Sequence, residues 1–308
     1  MPDVRLEEYK KIRLAGDDKE LLRILYRQDL ELTAETARLR KKLAKAVRRR
    51  SEGQLAKIIP ILIATYGISL RRIVKKYGTM ASKSAGKSFY NTAEKAVKAT
   101  KKALPVHSKR FLGDLRKEIS QYTQKASKGI LYRPSRFDKV RLVHRIKSIE
   151  RSAEKTVRNI IAEGYKKGKG AYKIAEDIDR YIKPSLRQPR VSSWRLYRDR
   201  FGKPMSYRPP VRTGSVSYNA LRIARTETAD QYRLSMIEMA KDKPWIEGLN
   251  WVLSNAHPKP DICDDWADGS PYKPDDIIGF GHPHCLCHPE YVLMSKDKFG
   301  EYLEKEYA

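Results

Sequence analysis

Cysteine, histidine and long apolar runs are scarce in this chain, and each scarcity excludes a class of protein. The 308 residues include 3 cysteines, too few and odd in number for the disulfide framework of a small secreted domain. The longest apolar run, 58–65, is interrupted by Pro60 and is too short to span a bilayer. The acidic residues that closely follow Met1 do not fit a signal peptide. These features predict a protein that is made in a reducing cytoplasm and has no membrane segment.

Acidic residues are also few, and they are distributed unevenly. The chain has 65 Lys and Arg against 37 Asp and Glu, which gives a formal net charge of +28. From residue 261 onward 11 acidic residues outnumber 4 basic ones, so the preceding part holds 61 basic and 26 acidic residues and a net charge of +35. A body this basic favours a polyanionic partner, above all nucleic acid. A solvated helical surface that meets an acidic protein is the alternative.

Apolar residues recur at helical spacing through most of the chain, which predicts a mainly α-helical protein with long amphipathic helices. The first helix is predicted over 17–50, where an apolar residue recurs every seven positions at Leu25, Leu32, Leu39 and Ala46. A coiled coil has two apolar positions in every seven residues, and only one of them is apolar here. The pattern therefore predicts a narrow contact with another helix. The other predicted helices cover 55–77, with a kink or a start at Pro60, and then 79–103, 108–128, 136–166, 171–182 and 218–241.

Composition divides the chain into three predicted regions. Residues 1–130 form a basic helical N-terminal region, and 131–215 contain helices followed by an arm rich in Pro, Arg and Tyr. The arm, 183–215, is predicted to be irregular and to serve interactions. Residues 216–308 form a smaller C-terminal α+β domain that is closed by a Cys/His cluster. Two strands are predicted in it, over 246–254 and around 291–294.

The C-terminal region concentrates residues that bind metals. All three cysteines and four of the six histidines of the chain lie there: His257, Cys263, His282, His284, Cys285, Cys287 and His288. Structural zinc is usually held by four Cys or His ligands, with pairs of them contributed by tight turns. The spacing favours a zinc site made of Cys263, His282, Cys285 and Cys287, with His257 as the first substitute. A metal-free group of buried side chains, or an oxidised cysteine pair, is the alternative.

A structural role for this zinc is favoured over a catalytic one. A catalytic zinc needs an open coordination position and a nearby general base, and no zinc-enzyme motif is complete in the sequence. The competing hypothesis is a metal-dependent nuclease or related hydrolase, with Asp261, Asp265 and His282 near the metal. Carboxylates clustered in a loop are more often turn residues and helix caps. The protein is therefore predicted not to be an enzyme, and a plain nucleic-acid-binding protein with a zinc knuckle is a third hypothesis.

The end of the first predicted helix carries a dense positive patch. Its cations are Lys41, Lys42, Arg48, Arg49 and Arg50. They are candidate contacts to the phosphates of double-stranded DNA, which would be insensitive to base sequence. The alternatives are a solvated face or a contact with an acidic partner.

A second distinctive stretch is 219–229, which reads N-A-L-R-I-A-R-T-E-T-A and includes Arg222 and Thr226. Taken alone, it predicts a helix. Arg225 and Glu227 are two residues apart and therefore do not face each other along that helix. Their partners must lie elsewhere, and the Cys/His loop is one candidate.

The A-R-T-E helix and the residues C-terminal to it together resemble a known family. After this helix come Trp251, then Asp261 and Cys263, and then the H-P-H-C-L-C of 282–287. This ordered set resembles the phage head morphogenesis family, the Mu F-like minor head proteins of bacteriophages. The resemblance covers roughly 150–290. The family often has a second cysteine three residues after the first, where this chain has a tryptophan, and this leaves a Cys3His set or a site without metal.

The resemblance implies a virion component and not an enzyme. Proteins of this family are minor capsid proteins of the phage head, associated with the portal vertex, and act in head assembly and in DNA packaging or delivery. The implied partners are the portal protein, other capsid proteins and double-stranded DNA, with no membrane. Such a protein is made in the host cytoplasm and ends in the virion, where a strongly basic body suits a DNA-filled interior.

Overall fold

The computed structural model describes residues 18–49, 51–100, 105–134, 140–182, 190–191, 195–198, 204–207, 211–212, 216–254, 261–277 and 285–308. These residues are mainly helical, with a small C-terminal region of two strands and a cysteine cluster, and this confirms the predicted fold class. The helices are α1 (Asp18–Arg49), α2 (Glu52–Ala99), α3 (Pro105–Gly129), α4 (Leu142–Lys166), α5 (Ala171–Ile182), α6 (Val216–Ala240), α7 (Ile262–Asp268) and α8 (Lys296–Tyr307).

Helix α2 is one continuous helix of 48 residues, where the sequence predicted two. A start at Pro60 is wrong, because the backbone N–H of Ser51 bonds the Gln54 side chain at 3.2 Å and the helix begins well before the proline. Proline has no N–H to give to the carbonyl of Ala56. Arg158 of α4 donates to that carbonyl at 3.0 Å instead, so a neighbouring helix supplies the hydrogen bond that Pro60 cannot make.

Helices α4 and α5 meet at a close approach between backbone and side chain. A Cβ added to Gly164 would lie 2.5 Å from the Ile174 side chain, so only glycine fits there. The chain then reverses at Gly168, whose φ of +63° lies in the left-handed region. The described part of α4 begins at 142, later than the predicted 136, and 135–139 lie outside the described residues.

One buried core, the aliphatic core, joins α1, α2, α4, α5 and the first half of α6. Its main members are Leu32, Leu39, Leu43, Ala46, Ile59, Ile63, Leu70, Ile73, Val74, Ile146, Val157, Ile161, Ile174, Ile178, Ala220 and Ala224. The seven-residue repeat predicted for α1 contributes four buried side chains, as expected for a helix–helix contact, and its first leucine, Leu25, lies in the neighbouring core.

A second buried core, the aromatic core, joins the start of α1, the second half of α2, α3, the second half of α6 and the C-terminal elements. Its main members are Phe89, Phe111, Tyr232, Trp245, Leu249, Trp251, Cys263, Trp266, Cys285, Cys287, Phe299 and Leu303. The C-terminal strands β5 (Ile246–Val252) and β6 (His288–Leu293) form an antiparallel pair with Trp251 opposite Pro289. Both strands were predicted, with ends that differ by a few residues, whereas α7 and α8 were not predicted.

The arm after α5 is more regular than the sequence suggested. Its described residues form β1 (Arg190–Val191), β2 (Arg195–Arg198), β3 (Pro204–Tyr207) and β4 (Val211–Arg212). Strand β1 pairs with β4, and β2 pairs with β3, both antiparallel. The expectation of an irregular segment is therefore wrong for these residues, because the valines and tyrosines among them suit a short paired strand.

Within α2, one 18-residue stretch is apolar enough to cross a membrane by length and composition alone. A third of that stretch is buried inside the protein. A core helix of a soluble protein has the same composition, so this one helix is weak evidence for a membrane segment.

Candidate metal centre and basic groove

Three cysteines from two separate parts of the chain meet at one point of the aromatic core. Cys263 lies in the first turn of α7, and Cys285 and Cys287 lie immediately before β6. Their sulfur atoms all lie within 4.8 Å of one another, and the Cys263 and Cys285 sulfurs are 3.5 Å apart. All three side chains are buried. Three thiols placed in this way could hold a metal ion.

The three cysteines are not joined by disulfide bonds, and their sulfur atoms are separated like neighbouring metal ligands. A disulfide would need a sulfur–sulfur distance of about 2.05 Å, well below the 3.5 Å between Cys263 and Cys285. The backbone N–H of Ser254 donates to the Cys287 sulfur at 3.4 Å. Hydrogen bonds of this kind support and orient a thiolate ligand.

A capping arrangement places Cys263. Asp261 is the N-cap of α7, and its carboxylate accepts from the Cys263 backbone N–H at 2.8 Å. In return, the Asp264 carboxylate accepts from the Asp261 N–H at 2.6 Å. This is a capping box, and it fixes the start of a helix of 7 residues that has little intrinsic stability. Asp261 therefore acts as the cap that carboxylates in loops were expected to provide.

The residue that holds the other two cysteines was not identified from the sequence. Arg233 of α6 is 1% exposed, and its Nε donates to the backbone carbonyl of Cys287 at 2.7 Å. A second guanidinium nitrogen donates to the carbonyl of Cys285, and a third to the Asp230 carboxylate. The guanidinium thus fixes the backbone of the C-x-C segment through hydrogen bonds to its carbonyl groups. Its signal in the sequence is a single arginine in a stretch of mostly apolar residues near the end of α6.

The electrostatics of the cluster depend on its burial. Hydrogen bonds from Cys285 and Cys287, together with burial, raise the pKa of the Cys263 thiol far above its ordinary value. The hydrogen bond with Cys263 lowers the pKa of Cys287, but Cys285 and burial outweigh it and raise that pKa to about 12. Without a metal, Cys263 and Cys287 therefore favour the neutral thiol, and a bound metal would displace their protons.

The buried arginine is the cation that such a site requires. Burial lowers the pKa of Arg233, but the charges of Cys285 and Asp230 outweigh it and raise that pKa. Burial also raises the pKa of Asp230 to about 6, against the lowering effect of Arg233. Three thiolates around a divalent cation carry a net negative charge, and burying that charge is unfavourable unless an opposite charge lies next to it. The position of Arg233 meets this requirement.

The predicted histidine ligands lie in parts of the chain that the structure does not describe. His282 and its substitute His257 lie outside the described residues, as does His284. His288 is described and 3% exposed, with Nδ1 3.4 Å from the Leu286 carbonyl and its ring edge against Tyr232. In the described part of the chain the group that could hold a metal consists of the three cysteines and contains no carboxylate. Asp265, proposed for the nuclease alternative, is exposed on α7.

The A-R-T-E helix is α6, and its charged side chains connect three helices. Arg225 binds the buried Asp29 of α1, with Nε 3.0 Å from both carboxylate oxygens. Glu227 binds Arg145 of α4. The prediction that their partners lie elsewhere is confirmed, and the partners that the structure describes lie on α1 and α4. Arg233, further along the same helix, contacts the C-x-C segment.

The remaining motif residues are buried or half-buried. Arg222 and Thr226 are half-buried on α6. Trp251 is buried in β5, with its ring at right angles to that of Trp266 and the Arg233 guanidinium 6.0 Å from its centre. Strand β5 therefore packs against α7, which carries Cys263, and against Arg233, which binds the backbone of the other two cysteines.

The predicted DNA-contact residues lie on the second half of α1. Lys41, Lys42, Arg48 and Arg49 are exposed, and Arg50 lies outside the described residues. A groove of about 600 Å³ opens beside three of them, between α1 and α5. The residues that line it are Ala37, Arg40, Lys41, Ala44, Lys45, Arg48, Arg49, Tyr172 and Asp179.

Comparisons with models of protein families, with curated proteins and with solved structures gave no match.

Proposed function

We propose that this protein is a phage minor capsid protein of the head morphogenesis type. It associates with the portal vertex, contacts packaged DNA without sequence preference, and acts in head assembly and in DNA packaging or delivery. The observation that carries the proposal is that the residues of the family resemblance surround one helix, α6. Arg225 and Glu227 bind two neighbouring helices, and Arg233 holds the C-x-C segment. These three side chains connect and stabilise helices and the C-x-C segment, which suits a structural protein.

The metal of the cysteine cluster is proposed to be structural zinc. Thiolates are soft ligands that select zinc over magnesium or calcium, and a structural zinc site takes four Cys or His ligands. Cys263, Cys285 and Cys287 supply three of them. His282 is the proposed fourth ligand, with His257 as its substitute. The zinc would fasten α7 to the segment before β6, and the buried Arg233 would balance the charge of the thiolates.

The proposed DNA contact is through phosphates. Lys41, Lys42, Arg48 and Arg49 form an exposed row of cations near the end of α1. Such contacts release counterions, so the logarithm of the affinity for duplex DNA should fall with the logarithm of the salt concentration by about 0.9 for each phosphate contacted. The acidic C-terminal part, with 11 acidic residues from 261 onward, is proposed to face the portal protein or another capsid protein.

Locating the full chain in intact phage particles tests this proposal. We expect the protein in purified, DNA-filled heads at low copy number, in density adjoining the portal vertex, and crosslinked by ultraviolet light to packaged DNA. Its absence from purified heads, while it is abundant in the infected cell, would overturn the proposal. Presence in the head without a crosslink to DNA would remove the DNA contact and leave the capsid assignment.

A further inference from the structure

The groove between α1 and α5 has features that a simple contact with duplex phosphates does not need. Two of its lining residues, Ala37 and Ala44, have small side chains, which leaves room beside the α1 backbone. The groove volume of about 600 Å³ lies within the range of about 300–1,000 Å³ that holds single small molecules. A DNA duplex is too wide for such a space, whereas part of one strand fits it.

The groove is positively charged, and some of its cations are available to bind a ligand. The carboxylate among its lining residues, Asp179, is already bound by Arg40, with hydrogen bonds of 2.5 and 2.7 Å. This pair connects α1 to α5 and fixes the width of the groove. Among the side chains that the structure describes, no carboxylate pairs with Lys41, Lys45 or Arg49. These three cations are therefore available for anionic groups of a ligand.

An aromatic ring forms part of the groove wall. Tyr172 of α5 is 74% exposed, more than any other large apolar or aromatic side chain in the described part of the chain. The guanidinium of Arg48 lies 4.7 Å from the centre of its ring. Because the ring is so exposed, most of its surface remains open to solvent. The ring lines the groove, so a ligand in the groove can contact it.

Cations beside an open aromatic ring are the arrangement with which proteins bind single-stranded nucleic acid. The cations follow the sugar–phosphate backbone, and unpaired bases stack on the ring. In a duplex the bases are stacked on one another and paired, so they cannot reach Tyr172. We propose that this groove binds a short single-stranded segment of nucleic acid, with phosphates on Lys41, Lys45 and Arg49 and one base stacked on Tyr172. This inference rests on the nucleic-acid part of the proposed function and adds the form of nucleic acid that the site prefers.

Binding of labelled oligonucleotides to the full chain tests the inference. The probes are an oligo-dT of about 12 nucleotides, within the usual site sizes of single-strand binders, and a duplex of equal length, both followed by fluorescence anisotropy. Tyr172→Leu should weaken binding of the single strand about 5- to 150-fold, because stacking of one base contributes about 1–3 kcal/mol. Duplex binding should not change. Tyr172→Phe keeps the ring and should bind both probes like the unmodified protein.

Two matched controls separate the groove from the general surface. Tyr132→Leu removes another highly exposed tyrosine, which lies outside the groove, and should leave both affinities unchanged. Lys41→Ala should weaken single-strand binding and reduce its salt slope by about 0.7, the value for one phosphate contact. Lys147→Ala, which removes an exposed lysine of α4, should do neither.

The outcomes separate this inference from the proposed function. If Tyr172→Leu leaves single-strand binding unchanged, or weakens both probes equally, the groove inference is overturned. Salt-dependent duplex binding by the unmodified protein would still support the proposed DNA contact in that case. If the unmodified protein binds neither probe, the inference and the DNA contact both fail. Unchanged thermal unfolding of Tyr172→Leu, which is expected for so exposed a residue, confirms that the fold is intact.

Discussion

The aliphatic and aromatic cores of this protein are stabilised in different ways. The aliphatic core has two buried aromatic residues, Tyr66 and Tyr77, and is otherwise made of small and branched side chains on long helices. The aromatic core buries seven aromatic residues and all three cysteines. Three aromatic rings, Phe89, Phe111 and Phe299, pack around Trp245 with ring centres 5.3–5.9 Å from its own.

The difference follows from the lengths of the elements that each core connects. Helices α1 and α2, of 32 and 48 residues, offer many equivalent apolar contacts along their length. The C-terminal elements are short, with 7 residues in β5, 7 in α7 and 6 in β6. Short elements bury little area each and are unstable alone. Large rings, a buried arginine and a cysteine cluster supply the stabilisation that they lack.

The largest expected effect is that of metal removal, which should affect the aromatic core alone. A structural zinc contributes roughly 10–16 kcal/mol of apparent binding free energy in small zinc domains. We expect purified protein to contain one zinc per chain, and chelation or Cys285→Ala to release it. Amide protection should then be lost in β5, α7 and β6, while α1 and α4 stay protected, as measured by hydrogen exchange.

Two results would contradict this prediction. One is less than stoichiometric zinc together with thermal unfolding that chelation does not change. The other is loss of protection in both cores at once, which would show that the cores unfold as one unit and that the contrast between them is only one of composition.

Replacing the buried arginine should have the next largest effect. Arg233→Met removes the donors to the carbonyls of Cys285 and Cys287 and leaves Asp230 without its ion pair to Arg233. Breaking a buried charged pair costs about 3–5 kcal/mol, and we expect the free energy of unfolding in urea to fall by this amount. Zinc affinity should fall as well. Arg233→Lys keeps the charge but not the planar fork, so it should recover part of the stability and less of the zinc affinity. Equal zinc affinity in all three proteins would show that Arg233 does not support the cluster.

A substitution in the aliphatic core should have a smaller effect and no effect on the metal. Ile73→Ala removes methyl groups from a fully buried side chain and should lower the free energy of unfolding by about 2–5 kcal/mol. Ile68→Ala, on the same helix but 61% exposed, is the matched control and should change it by less than about 0.5 kcal/mol. Both variants should keep one zinc per chain. Release of zinc by Ile73→Ala would show that the two cores are coupled.

The aliphatic core was largely predictable because its signal is local. The spacing of Leu32, Leu39 and Ala46 in α1 predicted a helix with one buried face, and these residues are buried. The sequence failed at Pro60 in one respect, because the helix start that it allowed there is wrong. Whether a proline ends a helix depends on what satisfies the open carbonyl, and Arg158 lies about a hundred residues further along the chain.

The cysteine cluster was predicted in part, for a related reason. Concentrated cysteines and histidines indicated a site, and Cys263, Cys285 and Cys287 do meet. Arg233 was missed because its role depends on carbonyl groups more than fifty residues away, and the apolar stretch around it indicates burial but not which groups it binds. The partners of Arg225 and Glu227 could not be assigned either, because a helical pattern shows which face is charged but not which helix opposes it.

The sequence by itself determined the long helices, the two C-terminal strands, the uneven charge and the residue types of the candidate metal site, because these depend on spacing and composition along the chain. Only the tertiary structure decided which groups meet. It brought Tyr172 of α5 beside the cations of α1, and it placed Arg233 within hydrogen-bond distance of the C-x-C backbone. Contacts between distant residues depend on how the helices pack, which the periodicity of each helix does not specify. For that reason the cysteine cluster was visible in the sequence, whereas its supporting arginine and the basic groove were not.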